Sequence, residues 1–141
     1  MKVFFDTNVY VADALLGQVA EQLIQATQAA DWRIHVSTYL LDELETVLVE
    51  KLGFSKRLAG LTRRRVFRRS QMVEPPPSRH EVPHDPKDSP ILRAALAAGA
   101  DYLVTNDGHL LELDPYEGLR LVSLTAYHEL LVHEGLIKPD S

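Results

Sequence analysis

The 141-residue sequence contains no cysteine, which excludes disulfides, thiolate zinc sites and cysteine nucleophiles. It has one tryptophan, and aromatic residues make up 7% of the chain. They are scattered, so no platform for stacking nucleobases stands out. No apolar run approaches the roughly 20 residues of a membrane span. The opening Met1-Lys2-Val3-Phe4-Phe5-Asp6 lacks the long apolar stretch of a secretion signal. A cytoplasmic protein with no membrane partner is the expectation. One stretch, Lys51 to Arg69, has no acid at all.

What is present fits an ordinary globular protein, 45% hydrophobic and 25% charged. The length suits a single domain over residues 1–141, with the chain from about residue 134 expected as a flexible C-terminal tail. The net charge of −5 hides an asymmetry. Eight of the 15 bases fall between Lys51 and Arg69, while the remaining seven face all 20 acids. An acidic body with one basic arm can attract a polyanion locally and repel it elsewhere.

Apolar runs and helical periodicities alternate along the chain. Lys2–Phe5, Trp32–Val36, Gln71–Val73, Tyr102–Val104 and Leu119–Val122 read as short strands. Helices are expected over Asn8–Leu16, Gln18–Ala30, Ser37–Leu52, Ser55–Arg69, Ile91–Ala98 and Thr125–His133, with Ser37 as an N-cap and Gly17, Gly53 and Gly99 as stops. Five of the eight prolines lie between residues 70 and 86, which makes that stretch mostly loop. Strands alternating with helices imply a mostly parallel sheet covered on both faces. Ligands of such sheets bind beyond the carboxyl ends of the strands.

Acids occupy those ends. Asp6 ends the first strand and Asp107 follows the fourth. Asp88 opens the helix after the proline-rich loop, and Glu43 lies in the helix after the second strand. Each has a plain structural role open to it: Asp6 and Asp107 as turn or cap residues, Asp88 as a first-turn acid beside Ser89 and Pro90, Glu43 as a solvated helix edge. Helical geometry does not choose between Glu43 and Glu45, which border opposite edges of the same apolar stripe. Taken together, four converging carboxylates would repel one another unless a divalent cation neutralised them. Oxygen-only ligands favour Mg²⁺ or Mn²⁺.

The set resembles the PIN-domain nucleases, particularly the small VapC-like toxins of prokaryotic toxin–antitoxin pairs. Val3-Phe4-Phe5-Asp6-Thr7-Asn8 looks like the family's opening strand and its Asp-Thr/Ser-Asn. Ser37 to Leu44 is similar to its Ser-x-x-x-x-x-Glu-Leu helix start, which selects Glu43. Asp88-Ser89-Pro90-Ile91-Leu92-Arg93-Ala94 looks like its Asp-x-x-Ile-x-x-Ala helix opening, which selects Asp88 over Asp85. Ala100 to Asp107 is similar to its fourth-strand end, and His109-Leu110-Leu111 follows. These matches fall in the family's order from residue 3 to 111.

The resemblance implies a three-layer α/β/α PIN-like fold with about five strands. It implies endonucleolytic cleavage of RNA with one or two Mg²⁺ or Mn²⁺ ions held by Asp6, Glu43, Asp88 and Asp107. Thr7, Asn8, Thr105 and Asn106 are candidates to fix those carboxylates by hydrogen bonds. A homodimer, with the Ala14–Leu16 and Val19–Ala30 helices as candidate surfaces, and a cognate antitoxin are the implied protein partners. Arg63, Arg64, Arg65, Arg68 and Arg69 are candidate RNA contacts, since guanidinium pairs with phosphate in a forked geometry. The same arginines can instead pair with acids of the body or of an antitoxin. His109 can face the cleft or sit at the surface. Two other readings compete. A phosphatase using an aspartyl intermediate would need an acid where Asn8 stands, and a catalytically inactive PIN-fold binding module would have little reason to keep four mutually repelling acids.

Overall fold

A computed structural model describes residues 1–16, 19–76, 80, 82–83, 86 and 89–139. Its centre is a five-stranded sheet in the order β3-β2-β1-β4-β5. The strands are β1 (Lys2–Phe5), β2 (Arg33–Val36), β3 (Gln71–Met72), β4 (Tyr102–Val104) and β5 (Arg120–Val122), and every pairing is parallel. Val3 pairs with Ile34 on one side and Tyr102 on the other. The inner strands are apolar on both faces because helices cover both. Val3, Phe4, Phe5, Leu103 and Val104 are fully buried.

The helices are α1 (Thr7–Leu16), α2 (Val19–Ala29), α3 (Thr38–Thr46), α4 (Lys56–Arg68), α5 (Ser89–Ala97), α6 (Gly108–Leu111) and α7 (Leu124–His133). Serine hydroxyls start three of them. Ser37, Ser55 and Ser123 accept from the backbone N–H of Leu40, Leu58 and Ala126 at 3.2, 3.1 and 3.1 Å. Each satisfies one orphan donor of the first turn. Ser89 acts differently: its hydroxyl accepts from Val82 N–H at 2.9 Å and ties the preceding loop to α5. Gly99 closes the α5 region at φ +68°, a conformation that penalises any side chain.

Two elements depart from the pattern read along the chain. The helix expected to run unbroken to Leu52 is α-helical only to Thr46. Val47–Lys51 then forms a π turn, in which Leu52 N–H donates to Val47 O at 3.2 Å. The Asp107-Gly108 step is a helix start, with Asp107 capping α6. Beyond α7, Leu136 and Ile137 return to pack on the core. Behind the sheet, α2 and α7 are joined by Tyr127, whose ring meets Phe5 edge-on and whose hydroxyl bonds the Thr27 hydroxyl. Among the described residues no helix is long and apolar enough to cross a membrane.

The topology fixes where a ligand can sit. From β1 the chain runs outward through β2 to β3, then returns to the other side of β1 with β4. The order therefore reverses between β1 and β4, and a crevice opens beyond their carboxyl ends. Asp6 lies at that point: its N–H donates to Val104 O at 2.9 Å, extending the β1–β4 ladder by one bond.

Candidate active site at the β1–β4 crevice

Asp6 is anchored from both sides. Its Oδ1 accepts from Thr7 N–H and its Oδ2 from the Thr105 hydroxyl, each at 2.7 Å. The same Thr105 hydroxyl oxygen accepts from Asp107 N–H at 3.0 Å. One buried threonine therefore orients the first carboxylate and positions the backbone of the second. Asp107 in turn accepts from His109 N–H and Leu110 N–H at 2.8 and 3.2 Å. Its role as an N-cap and its position beside Asp6 coexist, because the two lone-pair-rich oxygens can serve different partners.

Glu43 faces these two from α3. Asp6, Glu43 and Asp107 line one cleft of about 590 Å³ together with Thr7, Asn8 and Tyr39. Glu45 is elsewhere: it accepts from Arg63 at 3.1 Å. Glu43 lines the cleft and Glu45 does not, although Asp42, which shares the Arg63 contact, lines it too. Asp88 and Asp85 lie outside the described residues.

Burial governs the electrostatics. Asp6 is 3% exposed, and desolvation pushes its pKa from 3.8 up to about 6. The Thr105 and Thr7 hydrogen bonds oppose this shift, and the neighbouring charges of Glu43 and Asp107 add to it. A carboxyl held this way gains from a cation.

Do these residues fit a divalent ion? Among the described residues no three acid or histidine side chains close to ligating distance. The donor set is nevertheless all oxygen, as Mg²⁺ and Mn²⁺ prefer. Mg²⁺ commonly uses one or two carboxylates and keeps several waters, and the open cleft has room for them. The buried Thr7 hydroxyl oxygen is also without a hydrogen-bond partner among the described residues. An orphaned oxygen donor beside a buried carboxyl that gains from a nearby positive charge fits a hydrated hard cation.

The other predicted residues divide. Thr7 and Asn8 line the cleft. Asn106 is turned to α7, where its Oδ1 accepts from Leu124 N–H at 3.3 Å. His109 is exposed and is not among the cleft-lining residues.

Three of the five arginines are used within the fold. Arg63 bonds Asp42 at 2.6 Å as well as Glu45. Arg65 and Arg69 both bond Glu21 on α2, Arg69 through two nitrogens. Arg64 and Arg68 are exposed and meet no carboxylate among the described residues. None of the five lines the carboxylate cleft. Arg69→Ala is expected to cost about 1–3 kcal/mol, because Glu21 would remain partly buried beside Asp13, whose own pKa is raised by burial and then by Glu21. Arg64→Ala should stay within about 0.5 kcal/mol of wild type. Urea unfolding of the two variants checks this; equal costs would mean the Glu21 pairing contributes nothing.

Among the cleft residues not singled out from the sequence are Tyr39 and Lys51. Tyr39 was accessible to helix periodicity, standing four residues before Glu43. Lys51 was not, because the π turn at Val47–Lys51 shifts its register.

A PIN-domain family model matches residues 2–109. No functionally curated protein matches the sequence. Among solved structures, VapBC2 from Rickettsia felis, crystallised with a DNA fragment from its promoter, superposes with a TM-score of 0.62 at 16% identity, covering 87% of this chain and 98% of that one. PAE2754 from Pyrobaculum aerophilum superposes at 0.63 with 18% identity, covering 94% of this chain and 90% of that one. At such identities the structures share the fold.

Proposed function

The chain belongs to the PIN-domain family, and from that premise we propose that it is a metal-dependent endoribonuclease, the toxin of a toxin–antitoxin pair. One observation carries the reading: Asp6 and Asp107, tied through Thr105, share the β1–β4 crevice with Glu43.

Asp6, Glu43 and Asp107, with Asp88 as the fourth member, would hold Mg²⁺ or Mn²⁺ as one ion or two. When bound, the ion supplies a water of lowered pKa and neutralises charge on the phosphoryl oxygens. The chain's own part is positional. Thr105 holds Asp6 in one orientation, so its carboxylate needs no rearrangement to accept a cation. Thr7 offers a further oxygen. Glu43, half-buried opposite, either takes the proton of the attacking water or helps hold a second ion. No side-chain nucleophile is required. Asn8, two residues after Asp6 and exposed, cannot act as the second acid of an aspartyl-phosphate mechanism.

The fold shared with VapBC2 supports the toxin reading and a cognate antitoxin as partner. Leu15 and Val19, 52% and 60% exposed where α1 meets α2, support a pairing surface for a second copy. The test of the main reading is cleavage of single-stranded RNA. Cutting is expected with Mn²⁺ or Mg²⁺ and none with EDTA. Intact RNA in both, with no metal-linked rise in melting temperature, would leave a non-catalytic binding module as the better account.

A further inference from the structure

Tyr39 and Lys51 line the carboxylate cleft without being needed to hold a metal. Both belong to the wall built by α3 and the π turn. Tyr39 stands one turn before Glu43. In an uninterrupted α-helix the residue seven positions after Glu43 returns to within about 20° of it, and the residue eight after is about 80° away. Position seven is Glu50 and position eight is Lys51. The π turn takes one additional residue into its ring, so the register beyond it slips by one. Lys51 accordingly lines the cleft and Glu50 does not.

That slip decides the charge of the wall. Asp6, Asp42, Glu43 and Asp107 already line the cleft, and an α-helical register would add a further carboxylate. The π turn supplies an ammonium instead. Among the described residues Lys51 is the only base lining the cleft, and it pairs with no carboxylate there. Along the helix the wall offers an aromatic ring, then the acids, then a cation. Lys51 lies roughly 12 Å beyond Glu43 and Tyr39 roughly 6 Å before it, from the rise per residue. Tyr39 is 40% exposed.

We propose that Tyr39 and Lys51 hold a single-stranded RNA across the carboxylates, Tyr39 stacking on an unpaired base on one side and Lys51 contacting a backbone phosphate on the other. The inference rests on the nuclease reading and deepens it by assigning the residues that position the strand. A duplex keeps its bases stacked on one another and out of reach of such a ring. Sequence preference at Tyr39 is expected to be slight, because every base has a π-face.

The test compares wild type with Lys51→Met, Lys51→Arg, Tyr39→Ala and Tyr39→Trp on a short mixed-sequence oligoribonucleotide, single-stranded and annealed. KM, kcat and the salt dependence of binding by fluorescence anisotropy are read. Lys51→Met should raise KM about tenfold, leave kcat within about twofold, and reduce the slope of log affinity against log salt by about 0.7. Lys51→Arg should restore all three. Tyr39→Ala should weaken binding between about 5- and 100-fold and Tyr39→Trp should not. Lys51 and Tyr39 are both surface-exposed, and an unchanged metal-linked melting shift verifies that the variants fold. If wild type cuts but Lys51→Met keeps its KM and salt slope, the clamp is wrong and the nuclease stands. If Lys51→Met lowers kcat alone, the clamp is also wrong. Wild type that binds RNA through Lys51 yet never cuts supports the clamp and overturns the nuclease. Wild type that neither binds nor cuts overturns both.

Discussion

Asp6→Asn is expected to abolish RNA cleavage while making the metal-free protein more stable above neutral pH. The two effects share one cause. Asp6 is buried, and desolvation raises its pKa from 3.8 to about 6. The folded state therefore binds this proton more tightly than the unfolded chain does. The favourable contribution is complete below about pH 4 and is lost as pH rises to about 6. Above that, the buried charge costs about 3 kcal/mol relative to the neutral group. Asparagine stays neutral and escapes the cost. It gives up part of the gain, because both Asp6 oxygens accept hydrogen bonds and one would become an NH₂ facing the Thr105 hydroxyl, at about 1–3 kcal/mol. The net is a gain of about 1 kcal/mol at pH 8 that vanishes or reverses at pH 5. Activity should fall by more than about 100-fold, beyond the loss typical of removing a group that only supports a metal ligand. Urea unfolding in EDTA at both pH values checks the first half. An asparagine variant destabilised equally at pH 5 and pH 8 would show that Asp6 carries no buried-charge penalty.

The second large effect is stabilisation by metal. A cation at the crevice offsets the penalty just described, so Mn²⁺ or Mg²⁺ should raise the melting temperature of wild type. At one hundred times the dissociation constant the linkage amounts to about 2.7 kcal/mol, a shift of roughly 5–10 °C for a domain of this size. The ion must displace the Asp6 proton, so its affinity should fall about tenfold between pH 8 and pH 5. Thermal melts over a metal titration at pH 5 and pH 8 read both quantities, and Asp6→Asn should show neither. A pH-independent shift that survives in the variant would put the metal elsewhere. Stability given up at an acidic crevice is a common trade for function.

Much of this was open to inspection in the chain itself. The apolar β1 run ending at Asp6 and the Ser37 cap depend on neighbours a few residues away, and local physics is enough to find them. The alternation of strands and helices extends that to the parallel sheet and hence to its carboxyl edge. What escaped depends on distance or on single hydrogen bonds. Arg65 and Arg69 meet Glu21 from 44 and 48 residues away, a pairing no helical spacing encodes. The Arg63 contacts to Asp42 and Glu45, 21 and 18 residues away, are of the same kind. The π turn leaves no trace in the apolar stripe, since Leu44 and Leu48 are buried on either side of its start as they would be in an α-helix. Four-residue α6 is too short to carry a period.

The arginine-rich helix has one more consequence. Of its residues only Ala59 and Val66 are buried, while Leu58, Leu61 and Phe67 stand exposed. α4 is fastened to α3 through Arg63 and to α2 through Arg65 and Arg69. The sheet is held by apolar burial and backbone ladders, which added salt does not weaken. The pairs under α4 are partly open to solvent and lie within reach of counter-ions. Ionic strength therefore acts on this molecule unevenly: it loosens one outer layer while leaving the sheet and its apolar scaffold intact, so α4 is a separately adjustable unit of local stability.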